Sequence, residues 1–451
     1  MTYHNAEKYI SSAPKETSGK HSFDRTEYLC TLLNIPYKKI NYVRLAGSNG
    51  KTICSALLSS VLSKAGYNVC TLNMSDLSDP KENVRRNTLP MTVSEFSETV
   101  SEISAACTLM KRNIEAAQAS VFDTEDIPEE YRGIPLALIK GDISAELTRS
   151  EILLAAALLF YKKQGSNLLI IESAHNSIDP SLFMKAPFAA VICGTIPNGD
   201  NKQISKIKNY IRKGTGDVVS APQDSYAYKI ISDTCASVNC RLTVPIRSSL
   251  TIKQLSLTGT RFLYQGEEYK LSLCGRFQTT NAITVIETLK VLRRHGYKIS
   301  DEAEKQGISA VRIRSRFEVL SVHPTIIADS TYKEEAVETM CESLFDFSEF
   351  TGRSLRLCLP DDASLTESYL SMLSSRGYTV ASIYTVANPE QKSREKDEAS
   401  RYNPPLSRFA TPKAAAKHMI GELGENDTLL ISGKYSFTDP IRLEIMRYLE
   451  F

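Results

Sequence analysis

The distribution of apolar positions predicts a chain in which strands and helices alternate. Short apolar runs of strand length recur, among them residues 168–171, 189–193 and 217–220. Segments with apolar positions at helical spacing include residues 148–163 and 202–213. Since parallel strands need helical crossovers, this alternation favours a mainly parallel α/β sheet.

Two changes of pattern divide the chain further. Residues 241–273 contain short alternating pieces around Gln265 to Glu268, which indicates a small β-hairpin insert. The pattern then becomes Arg-rich and strand-like before a second α/β unit begins at Thr325. We therefore predict two domains, residues 1–312 and residues 313–451, of which the second is a smaller α/β domain.

The composition excludes several classes of protein. The 54 Lys and Arg residues nearly balance the 52 Asp and Glu residues, giving a net charge of +2. This balance argues against nucleic-acid or membrane partners. The ten cysteines are scattered and form no C-x-x-C pair, which is typical of reduced cytosolic thiols. With no apolar signal region and no apolar run of about 18 residues, we expect a cytoplasmic protein.

The most informative stretch is a glycine-containing loop between an apolar run and a helical segment. Residues 43–46 are followed by Gly47-Ser48-Asn49-Gly50-Lys51-Thr52, and residues 53–62 have helical spacing. Backbone N–H groups in such a loop, together with a helix N-terminus, can surround phosphate oxygens. A lysine at this place can neutralise the β- and γ-phosphates, and the following hydroxyl can bind Mg²⁺. The alternative is an ordinary strand–turn–helix with a solvated lysine.

The loop departs from the common G-x-x-x-x-G-K-[ST] form, because Leu45 stands where the first glycine would be. Gly47 and Gly50 still let the backbone approach a ligand without a Cβ clash. The loop is therefore predicted to bind phosphate groups and, through the Thr52 hydroxyl, Mg²⁺. Its predicted nucleotide-binding residues are Gly47, Ser48, Asn49, Gly50, Lys51 and Thr52.

Glu172 is the second predicted metal ligand. It closes the apolar strand at residues 168–171. Ligands of open α/β sheets gather at the carboxyl ends of strands, and carboxylate oxygen suits Mg²⁺. The alternative is a surface acid at the end of a strand.

The compact loop G-[ST]-N-G-K-[ST] resembles that of the Mur ligase superfamily, which includes folylpolyglutamate synthase and dihydrofolate synthase. Phe23-Asp24-Arg25, Leu29 and residues 32–36 also resemble the approach to the loop in the folate branch. The resemblance extends from about residue 20 to residue 445. It implies a P-loop Mur-ligase-like domain, mainly a parallel sheet with a small β insert, followed by a Rossmann-like α/β domain.

The resemblance also implies an activity. Members of the family form an acyl phosphate from ATP and a substrate carboxylate, and then join the carboxylate to an amino acid. We therefore expect an ATP-dependent acid–amino-acid ligase that uses Mg²⁺. By resemblance to the folate branch, its substrates would be a folate or pteroate carboxylate and glutamate. We expect the protein to act as a monomer.

Further motif matches add nucleotide-side residues. Residues 275–282 resemble the family motif Gly-x-His-Gln-x-x-Asn-Ala, whose amides lie near the ATP base and ribose. Gln278 and Asn281 are kept, and their i,i+3 spacing puts both amides on one helical face. Phe277 replaces the histidine. The alternative is a polar helix N-terminus.

Two residues near the domain boundary are assigned by the same resemblance. Residues 313–319 resemble Trp-Pro-Gly-Arg-x-Glu-Val, so that Arg316 would reach a nucleotide phosphate or the acyl phosphate. The alternative is a basic edge strand protected from pairing. Asp329 alone matches the motif Asp-Gly-Ala-His-Asn, whose aspartate approaches the nucleotide.

Lys208 falls on a lysine that is carbamylated in many family members. A carbamate would turn this cation into an anionic oxygen ligand for a second Mg²⁺ and make Lys208 part of the catalytic machinery, beside Lys51 and Arg316. The alternative is a solvated helix lysine, since the neighbouring family residues are changed.

Several family motifs are missing. The Asp-His metal motif expected after residues 189–193 is absent, and His175 lies on a different strand from the family histidine. Ser75-Asp76 replaces Pro-His in the folate-side loop, and Tyr332-Lys333 replaces His-Asn in the second domain. Two alternatives therefore stay open: a member that binds ATP without ligase activity, and a Mur-type ligase with a non-folate substrate. A P-loop NTPase switch is disfavoured by the Gln278 motif and the second α/β domain.

Overall fold

The computed structural model describes residues 1–14, 23–47, 49–74, 77, 79–120, 127–173, 180–196, 200–332, 334–347, 354–386 and 404–449. The helices are α1 (Tyr3–Ser12), α2 (Asp24–Leu32), α3 (Lys51–Lys64), α4 (Val93–Ala119), α5 (Leu136–Ile139), α6 (Arg149–Lys163), α7 (Asn201–Tyr210), α8 (Ser225–Ser237), α9 (Arg276–Arg294), α10 (Asp301–Ala310), α11 (Glu334–Phe345), α12 (Ala363–Ser375), α13 (Pro412–Glu422) and α14 (Tyr435–Leu449). The strands are β1 (Tyr42–Ala46), β2 (Val69–Asn73), β3 (Val84–Arg86), β4 (Leu89–Pro90), β5 (Leu168–Glu172), β6 (Ala189–Ile192), β7 (Asp217–Ser220), β8 (Arg241–Thr243), β9 (Leu250–Ser256), β10 (Gly259–Tyr264), β11 (Glu267–Leu271), β12 (Glu318–Val322), β13 (Thr325–Asp329), β14 (Leu355–Pro360), β15 (Val380–Val386), β16 (Leu406–Phe409) and β17 (Thr428–Ser432).

The chain divides into two compact units, each made from two segments. The first unit comprises Met1–Arg247 and Thr280–Ile308, and the second comprises Ser248–Thr279 and Ser309–Phe451.

The first unit is built on an eight-stranded sheet in the order β4-β3-β2-β5-β1-β6-β7-β8. The six strands from β2 to β8 in this order run parallel, and β3 and β4 pair antiparallel at one edge. Leu45 of β1 pairs with Glu172 of β5, and Ala46 pairs with Ile192 of β6. The carboxyl end of β1 therefore lies between the carboxyl ends of two neighbouring parallel strands.

The central strands of this sheet are apolar because both of their faces are covered. Every residue of β1, β5 and β6 is buried. Helix α6 is buried from Glu151 to Phe160. The helix begins in a capping box in which the Thr148 and Glu151 side chains each accept a hydrogen bond from the other residue's backbone N–H. Burial on both faces keeps β1, β5 and β6 in place, so that their carboxyl ends lie side by side at one edge of the sheet.

The second unit contains a six-stranded sheet in the order β12-β13-β17-β14-β15-β16. β12 is antiparallel to β13, and the remaining neighbours are parallel. A separate three-stranded antiparallel sheet, β11-β10-β9, forms a small β insert where a hairpin was expected. Residues 241–243, predicted as part of the insert, are instead β8 of the eight-stranded sheet. The predicted fold, a parallel α/β domain with a small β insert and a second α/β domain, is confirmed.

The insert belongs to the second unit, whereas the predicted division placed it in residues 1–312. Leu257 and Cys274 lie in one buried cluster with Phe317, Ile327 and Leu357. Their apolar side chains complete the core of the second unit, and such long-range packing leaves no local signal in the sequence. The second segment of this unit begins at Ser309.

All ten cysteines are free thiols, as the scattered spacing predicts. Across the described ranges, none of the helices combines the length and apolarity needed to cross a bilayer.

Candidate functional site

The predicted phosphate-binding loop connects the central strand β1 to α3. Gly47 and Gly50 have φ values of 112° and 82°, a left-handed conformation that favours glycine. A Cβ atom on Gly47 would clash with the carbonyl oxygen of Cys193, and one on Gly50 would clash with Oδ1 of Asn281. Both glycines are therefore required for the close packing of the loop. Ser48 lies outside the described residues.

Lys51 is the first residue of α3, and its side chain folds back over the loop. Its Nζ donates a hydrogen bond to the carbonyl oxygen of Gly47 at 2.6 Å, and the residue is 6% exposed. A buried ammonium at a helix N-terminus, above a loop of backbone N–H groups, suits a phosphate group.

Thr52 and Glu172 converge at the same edge of the sheet. The Thr52 Oγ1 donates a hydrogen bond to Glu172 Oε2 at 2.9 Å. Burial raises the pKa of the Glu172 carboxyl, while hydrogen bonds from Thr52 and Ser55 and the charges of Lys51 and Arg85 act in the opposite direction. A bound cation would favour the ionised carboxylate at this buried position.

These two side chains fit Mg²⁺. Their oxygen atoms are the ligand type that Mg²⁺ prefers, and the ion usually takes one or two protein ligands together with water and substrate phosphates. Among the residues that the structure describes, no cluster of three or more His, Cys, Asp or Glu side chains is placed to hold a metal ion.

The segment after β6 packs directly against the loop. The Cys193 N–H donates to the carbonyl oxygen of Ala46 at 2.8 Å. A Cβ on Gly194, which has a φ of 68°, would lie 2.9 Å from the carbonyl oxygen of Asn49. The sequence did not lead us to predict this contact between Gly194 and Asn49. A glycine shortly after a strand is the sequence signal that could have indicated it.

Asn281 lies beside the loop, as its packing against Gly50 shows. The Cys54 Sγ of α3 is 4.0 Å from the Asn281 carbonyl oxygen, within hydrogen-bonding range for sulfur. Gln278, one turn earlier on α9, is fully buried. The structure thus brings Asn281 to the loop, whereas the Gln278 amide lies within packed protein.

Arg316 and Asp329 belong to the second unit. Arg316 is exposed, whereas Asp329 is buried at the end of β13. The Asp329 Oδ2 accepts the Phe317 N–H at 2.6 Å, and its Oδ1 accepts the Thr331 hydroxyl. Burial raises the pKa of Asp329, and the charge of Arg316 acts in the opposite direction. Both carboxylate oxygens of Asp329 are therefore engaged within the protein, and Arg316 is the residue open to a ligand.

Lys208 is exposed in the last turn of α7. It lines a surface groove with Arg212 and with Asp233 and Ser237 of α8. The described residues of this groove do not include the P-loop or Glu172. The carbamate role of Lys208 stays a prediction.

The altered substrate loops are described only in part, since Tyr332 is described and exposed. Ser75, Asp76, His175 and Lys333 lie outside the described residues, as do residues 197–199.

Comparisons with known proteins agree with this geometry. No family model matches the chain. The dihydrofolate synthase/folylpolyglutamate synthase of Bacillus subtilis (strain 168) is 25% identical to it over 445 residues, covering 94% of each chain. The folylpolyglutamate synthase structure from Thermotoga maritima has a TM-score of 0.78 at 18% identity and covers 98% of this chain and 96% of its own. The Mycobacterium tuberculosis folylpolyglutamate synthase, solved with ADP and AMPPCP, has a TM-score of 0.75 at 16% identity, with 98% of each chain covered.

The sequence similarity and the shared fold both extend over nearly the whole chain. The missing histidines and the altered loops mark this chain as a divergent relative. Over nearly its whole length the chain is thus similar in sequence to the dihydrofolate synthase/folylpolyglutamate synthase of Bacillus subtilis, and it shares the fold of the folylpolyglutamate synthase structures.

Proposed function

We propose that this protein is an ATP-dependent acid–amino-acid ligase of the folylpolyglutamate synthase type. The observation that carries the proposal is the hydrogen bond from Thr52 to Glu172 beside the buried Lys51 ammonium. A phosphate cradle, a cation and two oxygen ligands for a metal thus meet at one point of the first unit. The Mycobacterium tuberculosis relative with ADP and AMPPCP supports the choice of nucleotide.

Each of these groups has a role in the proposed reaction. The loop N–H groups and Lys51 hold the phosphates and disperse the charge that develops during transfer of the γ-phosphoryl group. Thr52 and Glu172 would hold Mg²⁺, which supplies further charge neutralisation when bound. Asn281 supports the loop from the helix side, and Arg316 offers an exposed guanidinium for an anionic oxygen.

The reaction itself needs no nucleophilic side chain. A carboxylate oxygen of the substrate attacks the γ-phosphorus of ATP, and ADP leaves. The amine of the second substrate then attacks the carbonyl carbon of the acyl phosphate; inorganic phosphate leaves and the amine loses a proton. The protein contributes positioning, charge stabilisation and exclusion of water, which would otherwise hydrolyse the acyl phosphate.

The proposed substrates are a folate or pteroate carboxylate and glutamate. The name and the 94% coverage of the Bacillus subtilis relative support this assignment. The proposal includes a cytoplasmic monomer, in a compartment where ATP is present and thiols stay reduced.

Two differences from the family motifs each favour an alternative function. Ser75-Asp76 and Tyr332-Lys333 replace family residues on the substrate side, which favours a ligase with a different substrate pair. The histidine expected after residues 189–193 is missing, which favours a protein that binds ATP without ligation.

One assay separates these functions. The protein is incubated with ATP, Mg²⁺, glutamate and either dihydropteroate or tetrahydrofolate, while ADP release and product mass are measured. ADP release that requires both substrates, with a glutamyl product, is the expected result. Turnover only with another carboxylate–amine pair would reject the folate assignment and keep the ligase. Tight ATP binding without turnover for any pair would favour the non-catalytic function.

A matched pair of variants controls for a contaminating ATPase. Lys51→Ala removes the ammonium over the loop, whereas Lys64→Ala changes an exposed lysine at the other end of the same helix. Turnover should be lost in the first and kept in the second.

A further inference from the structure

The backbone on either side of Arg316 has an unusual conformation. Ser315 and Phe317 have φ values of 52° and 48°, in the left-handed region that non-glycine residues rarely adopt. Both residues are buried, whereas Arg316 between them is exposed. A bulky residue keeps such a conformation only where surrounding contacts hold it, and such places often serve function.

Glu318 holds the first of these residues. Its Oε2 accepts the Ser315 N–H at 2.7 Å. The Arg442 guanidinium of α14 in turn binds both oxygens of Glu318, with Nε to Oε2 at 2.6 Å and Nη2 to Oε1 at 2.7 Å. Hydrogen bonding to Glu318 is the largest effect that raises the pKa of Arg442. A two-pronged ion pair of this kind fixes the orientation of the carboxylate.

Asp329 holds the second residue through its hydrogen bond from the Phe317 N–H. The neighbouring Ser330 N–H donates to the Ser315 carbonyl oxygen at 2.8 Å. The Phe317 ring stacks on Phe347, with ring centroids 5.7 Å apart. Side chains and backbone groups from β12, β13 and α14 therefore fix residues 315–317 at both ends.

We infer that Glu318, Arg442 and Asp329 are positioning residues that hold the backbone of residues 315–317 so that the Arg316 guanidinium projects outward to bind a phosphate oxygen. The inference rests on the proposed function for the identity of that oxygen, which belongs to ATP or the acyl phosphate. The contacts that Glu318, Arg442 and Asp329 make around residues 315–317 form without a nucleotide. Fixing the backbone at Arg316 before the ligand arrives lowers the ordering cost of binding.

The first test uses the protein without nucleotide. Glu318→Gln keeps the size of the side chain but weakens its pairing with Arg442, and Arg442→Lys keeps the positive charge without the two-pronged contact. Hydrogen exchange at the Ser315 and Phe317 amides should speed up in both variants, while β14 of the same unit stays protected. Unchanged exchange at these amides in both variants would overturn the inference.

The second test is a double-mutant cycle. Glu318→Gln should lower kcat/KM for ATP about 10- to 100-fold, as expected for misplacement of a contacting group. The same change in an Arg316→Ala background should have little further effect, because the group being positioned is already gone. Equal losses in both backgrounds would indicate a merely structural role and overturn the inference. Arg312→Ala, an exposed arginine that donates to the carbonyls of Ser309 and Val311, is the matched control.

Different results would overturn the ligase proposal and the positioning inference. If the wild-type protein shows no turnover with any substrate pair, the ligase proposal fails, and the cycle is measured with the dissociation constant of AMPPCP instead. In that case, affinity unaffected by Arg316→Ala would overturn the positioning inference. Affinity lowered by Arg316→Ala, and by Glu318→Gln only when Arg316 is present, would support it.

Discussion

The carbonyl oxygen of Cys193 occupies the space in which a Cβ atom on Gly47 would lie. Gly50 meets a different obstacle, the side-chain oxygen of Asn281. A backbone carbonyl in a central strand connection has little freedom to move, whereas the end of a side chain can rotate away. The two glycines of the loop should therefore differ in their tolerance of substitution.

Gly47→Ala is expected to abolish nucleotide binding, whereas Gly50→Ala should weaken it less. Gly66→Ala is the control, since Gly66 also has a positive φ, 87°, but has no heavy atom within 4 Å of an added Cβ. It should show only the cost of backbone strain, about 1–3 kcal/mol of stability. Equilibrium binding of AMPPCP and thermal unfolding measure the series. Equal loss of binding in all three variants would contradict the packing argument.

Lys51→Ala is expected to lower ATP turnover by at least about 100-fold with the fold intact, because the ammonium stabilises charge on the phosphates. Circular dichroism checks the fold, and ADP release under saturating ATP checks the rate. Wild-type turnover in the purified variant would show that Lys51 is only a packed helix lysine.

Glu172→Gln should raise the Mg²⁺ concentration needed for half-maximal activity by about 10- to 100-fold, since an anionic oxygen ligand is lost. Nucleotide binding without metal should change little. Thr52→Val and Thr52→Ser form a matched pair, because only serine keeps the hydroxyl that lies 2.9 Å from Glu172 Oε2. The valine variant should resemble Glu172→Gln and the serine variant the wild type. If Glu172→Gln needs the same Mg²⁺ concentration for half-maximal activity as the wild type, Glu172 is not a metal ligand and its role is structural.

Asp329→Asn tests the electrostatics of the second unit. Burial raises the pKa of Asp329 in the folded protein, so the protonated form favours folding. This contribution is fully present below the pKa of the unfolded chain and is lost as the pH rises through the higher folded pKa. The stability of the asparagine variant relative to wild type should therefore increase from acid toward neutral pH.

Denaturant unfolding at a series of pH values measures this difference. Asp362→Asn is the control: Asp362 is exposed and caps α12, and asparagine caps a helix equally well. A stability difference between wild type and Asp329→Asn that does not change with pH would show that burial has little effect on this carboxyl.

Local patterns predicted the fold, which is confirmed, and a resemblance that agrees with the similarity to the Bacillus subtilis relative over 94% of the chain. The spacing from Gly47 to Thr52 is local, so the sequence alone indicated the strand–loop–helix. The pairing of Thr52 with Glu172 was predictable because carboxyl ends of neighbouring parallel strands share an edge. The site roles of these residues stay predictions.

Long-range contacts left no comparable signal. Arg442 lies 124 positions from Glu318, and nothing in either neighbourhood indicates that the two side chains meet. The hydrogen bond from the Phe317 N–H to the buried Asp329 joins positions 12 residues apart, and no local pattern indicates it. The packing of Leu257 and Cys274 into the second unit likewise depends on the folded arrangement.

The order of strands in the second unit has a consequence for synthesis. β17 comes last along the chain yet pairs with β13 on one side and β14 on the other, at the middle of the sheet. A growing chain therefore carries two half-sheets with open inner edges until residues 428–432 have left the ribosome. Such edges can pair with other chains, so the interval before β17 emerges is the one in which this protein most needs protection from aggregation. A premature stop shortly before residue 428 would therefore remove a central strand of the sheet rather than an edge strand.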